Sequence, residues 1–258
     1  MISLEARLRE RRDAGKKLLV PYLTGGVRED WLDIVRACSL AGSDAIEIGV
    51  PFSDPVMDGP VIQAASVQAL ERGATPVSVL NELAATQFDV PLAVMTYVNL
   101  VFRFGYERFA STLQTSGVSG VILPDLPSEE AADWFAAADK HDIEAVLLVA
   151  PNTPDDRLQQ IAARSKGFVY CIGMLGVTGE RTELAASAAL IGKRVKAVTD
   201  TPALVGIGIS TPAQAAEAAA ACDGVIVGSA LMRRVMQGES PEQIGEFMSS
   251  LRTALDAQ

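Results

Sequence analysis

Three acids stand where the chain is otherwise apolar or stiff. Glu47 lies in the middle of Ala45-Ile46-Glu47-Ile48-Gly49. An unpaired carboxylate taken out of water costs several kcal/mol, so a buried one is paired, protonated or engaged in chemistry. Two readings follow: a Glu neutralised by a buried Arg or Lys, or a general acid/base whose pKa an apolar pocket has raised. The next segment, Val50-Pro51-Phe52-Ser53-Asp54-Pro55-Val56-Met57-Asp58-Gly59-Pro60, adds Asp54 and Asp58 in a proline-stiffened loop. Either could simply bond its own backbone in a turn, and residue type alone does not rank them.

Other chemistries lack their parts. His141 is the only histidine. It ends a predicted helix in Asp139-Lys140-His141-Asp142, which is read as a solvated terminus and is wrong for a Ser-His-Asp triad. Cys38, Cys171 and Cys222 are scattered in apolar surroundings and form no CxxC pair. They read as buried small hydrophobes in a reducing compartment, and no metal site can be assembled. No GxxxxGK[ST] loop occurs. Carboxylates are therefore the best available proton-transfer groups.

Anion binding is read near the end of the chain, in Gly206-Ile207-Gly208-Ile209-Ser210-Thr211-Pro212 and Val227-Gly228-Ser229-Ala230. Glycines let backbone N–H groups approach phosphate oxygens, and a helix N-terminus favours the charge. A third Gly-rich stretch, Gly173-Met174-Leu175-Gly176-Val177-Thr178-Gly179-Glu180-Arg181, is expected to be a lid or else an ordinary surface loop.

Something must position these groups. Eight apolar runs, Lys17–Leu23, Ala45–Gly49, Leu92–Tyr97, Gly120–Leu123, Ala145–Ala150, Phe168–Ile172, Ala203–Ile207 and Gly224–Val227, alternate with stretches of helical spacing. In Trp31–Ala41, for example, Trp31, Ile34, Val35 and Cys38 recur at three and four. Ser128-Glu129-Glu130 and Thr211-Pro212 read as helix openings. Near-continuous apolar strands suit a parallel sheet covered on both faces, either a closed barrel or a doubly wound sheet. A barrel places chemistry after the strand ends and often phosphate after the seventh and eighth strands, where the glycine pairs fall. The expected fold is thus a (β/α)8 TIM barrel with a short N-terminal helix, one domain over residues 1–258. Its length of 258 residues suits that fold, typically ~250 residues. The net charge of −10 argues against a nucleic-acid partner. It also requires any phosphate site to be built from local backbone dipoles. No apolar run reaches membrane-span length, and the charged N-terminus has no signal-peptide core, so a cytoplasmic location is expected.

The motifs resemble a known family. Glu47-Ile48-Gly49-Val50-Pro51-Phe52-Ser53-Asp54-Pro55 with Asp58-Gly59-Pro60 and Gln63 is similar to the signature of the tryptophan synthase alpha chain. So are Asn99-Leu100-Val101-Phe102, Pro124-Asp125-Leu126-Pro127, Gly176-Val177-Thr178-Gly179, Gly206-Ile207-Gly208-Ile209-Ser210 and Gly228-Ser229-Ala230, in the family's order. The resemblance implies reversible retro-aldol cleavage of indole-3-glycerol phosphate to indole and glyceraldehyde 3-phosphate. By position it implies Glu47 as the proton-transfer residue and Asp58 as the carboxylate facing the indole N–H. It places the indole pocket at Tyr22, Met95, Ile122, Pro124, Tyr170 and Thr178, and phosphate binding at Gly179, Gly208, Gly228 and Ser229. It implies a beta-chain partner in a hetero-tetramer of two alpha and two beta chains, with pyridoxal phosphate on the beta chain and no cofactor here. The segments 51–60 and 99–102 become candidates for the partner surface. A free-standing lyase and a non-catalytic activator of a beta chain remain the alternatives.

Overall fold

The computed structural model of the chain describes residues 1–173, 181–206 and 208–258, and of 181–188 the backbone only. Its eight strands are β1 (Leu18–Thr24), β2 (Ile46–Gly49), β3 (Leu92–Met95), β4 (Val118–Ile122), β5 (Glu144–Val149), β6 (Val169–Ile172), β7 (Ala203–Gly206) and β8 (Gly224–Val227). Each pairs in parallel with its neighbours in chain order, and β1 pairs with β8. The sheet is therefore a closed barrel and the open-sheet alternative falls.

Side chains alternate across each strand, so every strand feeds two cores. The inner one contains Leu18, Val20, Ala45, Ala93, Ile122, Val146, Phe168, Leu204 and Ile226. The outer one joins Leu19, Ile46, Ile48, Val94, Val121 and Val205 to the surrounding helices. Leu4 and Leu8, both fully buried, reach the inner core from the helix Leu4–Asp13 and plug the N-terminal end of the barrel. That helix is the short N-terminal helix expected, capped by Ser3, whose hydroxyl accepts from Ala6 N at 3.1 Å. Glu144 accepts from Ser3 Oγ (2.7 Å), Leu4 N (3.0 Å) and Glu5 N (2.6 Å), a carboxylate at the positive end of a helix. Asp44, 1% exposed, accepts from Arg11 Nε (2.7 Å), Leu19 N (2.8 Å) and Arg252 (3.2 Å) at the same end. With its floor closed in this way, the barrel is left to work at its other end.

Two local expectations need correction. Ser128 does not cap a helix. It opens a 3-10 turn, Ser128–Glu130, and its Oγ bonds the neighbouring Glu129 carboxylate at 3.3 Å. The helix Ala132–Lys140 begins only after Ala131 and has no side-chain cap. His141 follows that helix as expected but is mostly covered, with Nε2 2.8 Å from Glu107. Thr211, by contrast, closes a capping box with Gln214 at the start of the helix Pro212–Ala219.

Candidate active site

Glu47 is carried on β2 in register with Tyr22 on β1 and Ala93 on β3. It is fully buried, and neither carboxylate oxygen has a hydrogen-bond partner among the described residues. The ion-paired reading therefore fails there: no Arg or Lys of the described residues neutralises it. Burial, and next the negative charge of Asp58, push its pKa up to about 8. Glu47 thus keeps its proton at neutral pH, the state a general acid needs.

The structure also separates the two loop acids. Asp54 is exposed, and among the described residues its carboxylate accepts only from its neighbour Ser53 Oγ, at 2.6 Å. Asp58 is half-buried and accepts a hydrogen bond from the Tyr97 hydroxyl at 2.9 Å. The same Tyr97 oxygen accepts from Met57 N at 3.0 Å. Burial raises the Asp58 pKa and the Tyr97 bond opposes the rise. Two carboxyls in one mouth therefore differ in kind: Glu47 is fully buried with no hydrogen-bond partner among the described residues, whereas Asp58 is half-buried and hydrogen-bonded.

Tyr22 and Tyr170 flank this pair, and burial holds both phenols well above their ordinary pKa, with the charges of Asp58 and Glu47 adding to it. Glycines make room for the rings. A Cβ at Gly49 would stand 2.0 Å from the Tyr22 hydroxyl, and one at Gly206 would stand 2.6 Å from that of Tyr170. Neither contact is tolerable, so both glycines serve the pocket rather than a turn. Gly49→Ala is accordingly expected to cost about 1–3 kcal/mol through overpacking, read as a lower urea midpoint at unchanged slope. Ile122 belongs to the inner core, with Met95 and Tyr170 packed against it; Met95 and Pro124 are half-buried at the strand ends. Five of the six expected indole-pocket residues thus lie at the C-terminal mouth. The sixth, Thr178, lies outside the described residues, as do Gly179, most of the expected lid (174–180), and Ile207.

The phosphate expectation sharpens at the helix ends. Gly228 is the N-cap of the helix Ser229–Met236 and supplies no capping side chain, so the first N–H groups remain available to a ligand. The helix after β7 is different: its own Thr211–Gln214 box satisfies it, and Gln214 Oε1 also takes the Ser210 N–H at 2.8 Å. Gly208 is exposed with φ 37°, a conformation that favours glycine. Of the two helix ends, that of Gly228 and Ser229 is therefore the one left without a capping side chain. Exposed Arg233, one turn along, reaches Ser210 Oγ at 3.4 Å and brings a cation to the rim.

Tyr97 and Arg233 were not legible as site residues. Tyr97 reads as the end of an apolar run; its only signal is a hydroxyl at the C-terminal end of a strand. Arg233 reads as one charge of a solvated helix. No cluster of His, Cys, Asp and Glu fit for a metal occurs among the described residues. The thiols are buried, as expected; burial pushes Cys38 up to about 12 and Cys222 up to about 11, leaving both unreactive.

Comparison with known proteins agrees with this geometry. The family model described as "Tryptophan synthase alpha chain" matches residues 8–255. The tryptophan synthase alpha chain of Oceanobacillus iheyensis is 40% identical over 94% of this chain and 97% of its own. That of Methanosarcina mazei is 44% identical over 90% of this chain and 84% of its own. Among solved structures, tryptophan synthase subunit alpha from Legionella pneumophila superposes with a TM-score of 0.89 at 33% identity over 100% of both chains. A Mycobacterium tuberculosis tryptophan synthase chain gives 0.90 at 36% identity over 99% of both. A barrel of this topology, with a buried acid at the mouth and a match along nearly its whole length, belongs to the tryptophan synthase alpha chain family.

Proposed function

We propose that the chain, as one catalytic domain over residues 1–258, cleaves indole-3-glycerol phosphate reversibly to indole and glyceraldehyde 3-phosphate. It does so as the alpha subunit of a cytoplasmic tryptophan synthase that hands indole to a beta chain. The observation that carries this reading is Glu47, a fully buried carboxyl with no hydrogen-bond partner among the described residues, its pKa pushed up to about 8 beside Asp58. Glu47 gives its proton to indole C3, and the resulting positive charge is shared with the ring N–H that faces Asp58. The side-chain hydroxyl then loses its proton to the Glu47 carboxylate. The C–C bond breaks, its electron pair returns to the ring and the former hydroxyl carbon becomes the aldehyde. One proton enters C3 and one leaves the hydroxyl, so Glu47 is restored.

Tyr22, Met95, Ile122, Pro124 and Tyr170, with Thr178, hold the flat ring; Gly208, Gly228 and Ser229, with Gly179, hold the phosphate. The indole ring itself takes up the electron pair of the broken C–C bond, so the protein need supply only proton transfers, the alpha chain uses no cofactor, and pyridoxal phosphate belongs to the beta partner. Exposed Val56 (79%), Met57 (52%) and Phe102 (70%) support segments 51–60 and 99–102 as the partner face of a hetero-tetramer of two alpha and two beta chains. Among the described residues no helix is long and apolar enough to cross a membrane.

The test is to supply indole-3-glycerol phosphate to the purified chain and follow indole, with and without a beta chain. Slow release alone and faster release with the beta chain are expected. Absence of indole in both conditions would overturn the reading, and equal rates would point to a free-standing lyase.

A further inference from the structure

Tyr97 has no assigned part in the expected proton transfers, yet its hydroxyl meets both the Asp58 carboxylate and the backbone of its loop. It follows β3, is 4% exposed, and its ring packs against Phe52 at a centroid distance of 5.0 Å. Its hydroxyl donates to Asp58 Oδ2 (2.9 Å) and accepts from Met57 N (3.0 Å). The loop between β2 and the helix Pro60–Glu71 is therefore fastened twice through one oxygen, once at the backbone and once at the carboxylate. The residue after Tyr97 is fastened in turn, because Val98 N donates to Asp125 Oδ1 at 2.9 Å. This ties the segment after β3 to the loop after β4. A buried phenol, packed on Phe52 and bonded to the loop at two points, thus fixes where the Asp58 carboxylate points.

We infer that Tyr97 is the positioning residue for Asp58, aiming its carboxylate at the substrate N–H through the paired bonds to Asp58 and Met57. The inference rests on the reading of Asp58 as the carboxylate that faces the indole nitrogen. The groups facing Asp58 are Tyr97 itself, Glu47 on β2, Tyr22 on β1 and Tyr170 on β6, with Asp125 behind Tyr97. Of these, only the Tyr97 bond favours the ionised carboxylate.

The test is Tyr97→Phe, which keeps the ring and its packing on Phe52 and removes the two hydrogen bonds. Cleavage of indole-3-glycerol phosphate by the alpha chain is measured across pH, with Asp58→Asn alongside and a thermal melt of each variant. Loss of a hydrogen bond to a charged group should lower kcat about tenfold, with KM changed less than about twofold, because the charge on the ring exists only in the transition state. The acid limb of the kcat/KM profile should move to higher pH, since the bond that held Asp58 ionised is gone. A residue needed only for packing would shift the melt and leave that limb in place. Wild-type kcat and an unmoved acid limb in Tyr97→Phe, with Asp58→Asn inactive, would overturn the positioning role. Wild-type turnover in Asp58→Asn would instead overturn the reading of Asp58 on which it stands.

Discussion

Replacing Glu47 with Gln is expected to lower indole release at least about 100-fold while substrate still binds, the usual minimum for removing one well-placed proton-transfer group. Gln fills the same volume and meets the same apolar walls, so the loss isolates the proton. Wild-type protein should lose activity on the alkaline side as Glu47 ionises, around the value of about 8 to which burial pushes it. The same variant should be more stable than wild type at high pH. The folded-state pKa of Glu47 is raised above the ordinary 4.5, so between 4.5 and about 8 the folded chain binds the proton that the unfolded chain has released. Stability therefore falls as pH rises through that window. Gln does not titrate, so the difference in unfolding free energy between variant and wild type should grow from pH 5 to pH 8. Near-wild-type turnover, or a stability difference independent of pH, would refute the role assigned to this carboxyl.

That trade of stability for chemistry explains why Glu47 was conspicuous in the sequence. An acid in a strand of Ala, Ile and Gly breaks the local rule for a buried strand, and such breaks concentrate at working sites. The barrel was legible for the opposite reason: Glu47 apart, the strands keep close to their rule, and parallel strands buried on both faces leave runs too apolar to miss. What stayed hidden depends on distances between segments far apart in sequence. Gly49 and Gly206 look like any strand-end glycines until the Tyr22 and Tyr170 hydroxyls are seen within 2.0 and 2.6 Å of their missing Cβ positions. Ser128 looks like a helix cap, but its hydroxyl is taken by Glu129 next door. Gln214 satisfies the helix end after β7, whereas Gly228 gives its own helix no capping side chain, a difference that two similar glycine pairs do not show. Each of these is a competition between partners for one polar group or one volume, and residue order carries no record of who wins.

Asp54 and Asp58 put that point to the test, because both precede a turn-forming residue and residue type alone does not rank them. Asp58→Asn is expected to reduce cleavage roughly 100- to 1,000-fold, the range for losing one preorganised electrostatic contact to developing charge. Asn can still accept from the Tyr97 hydroxyl now 2.9 Å from Asp58 Oδ2, so the loop should hold its shape and only the negative charge is lost. The ring nitrogen becomes positive as C3 is protonated, and a neutral amide offers that charge no compensation. The fall should appear in kcat and in kcat/KM alike, with KM little changed. The acid limb of the pH profile should disappear, because position 58 no longer titrates. Asp54→Asn removes an exposed charge bonded, among the described residues, only to Ser53, and cleavage by the isolated chain should stay within about twofold of wild type. Its carboxylate shares the loop with exposed Val56 and Met57, so any effect should emerge only as weaker stimulation by the beta chain. Equal losses in the two variants of the isolated chain would mean that the charge of the loop as a whole, and not the carboxylate held by Tyr97, supports the reaction.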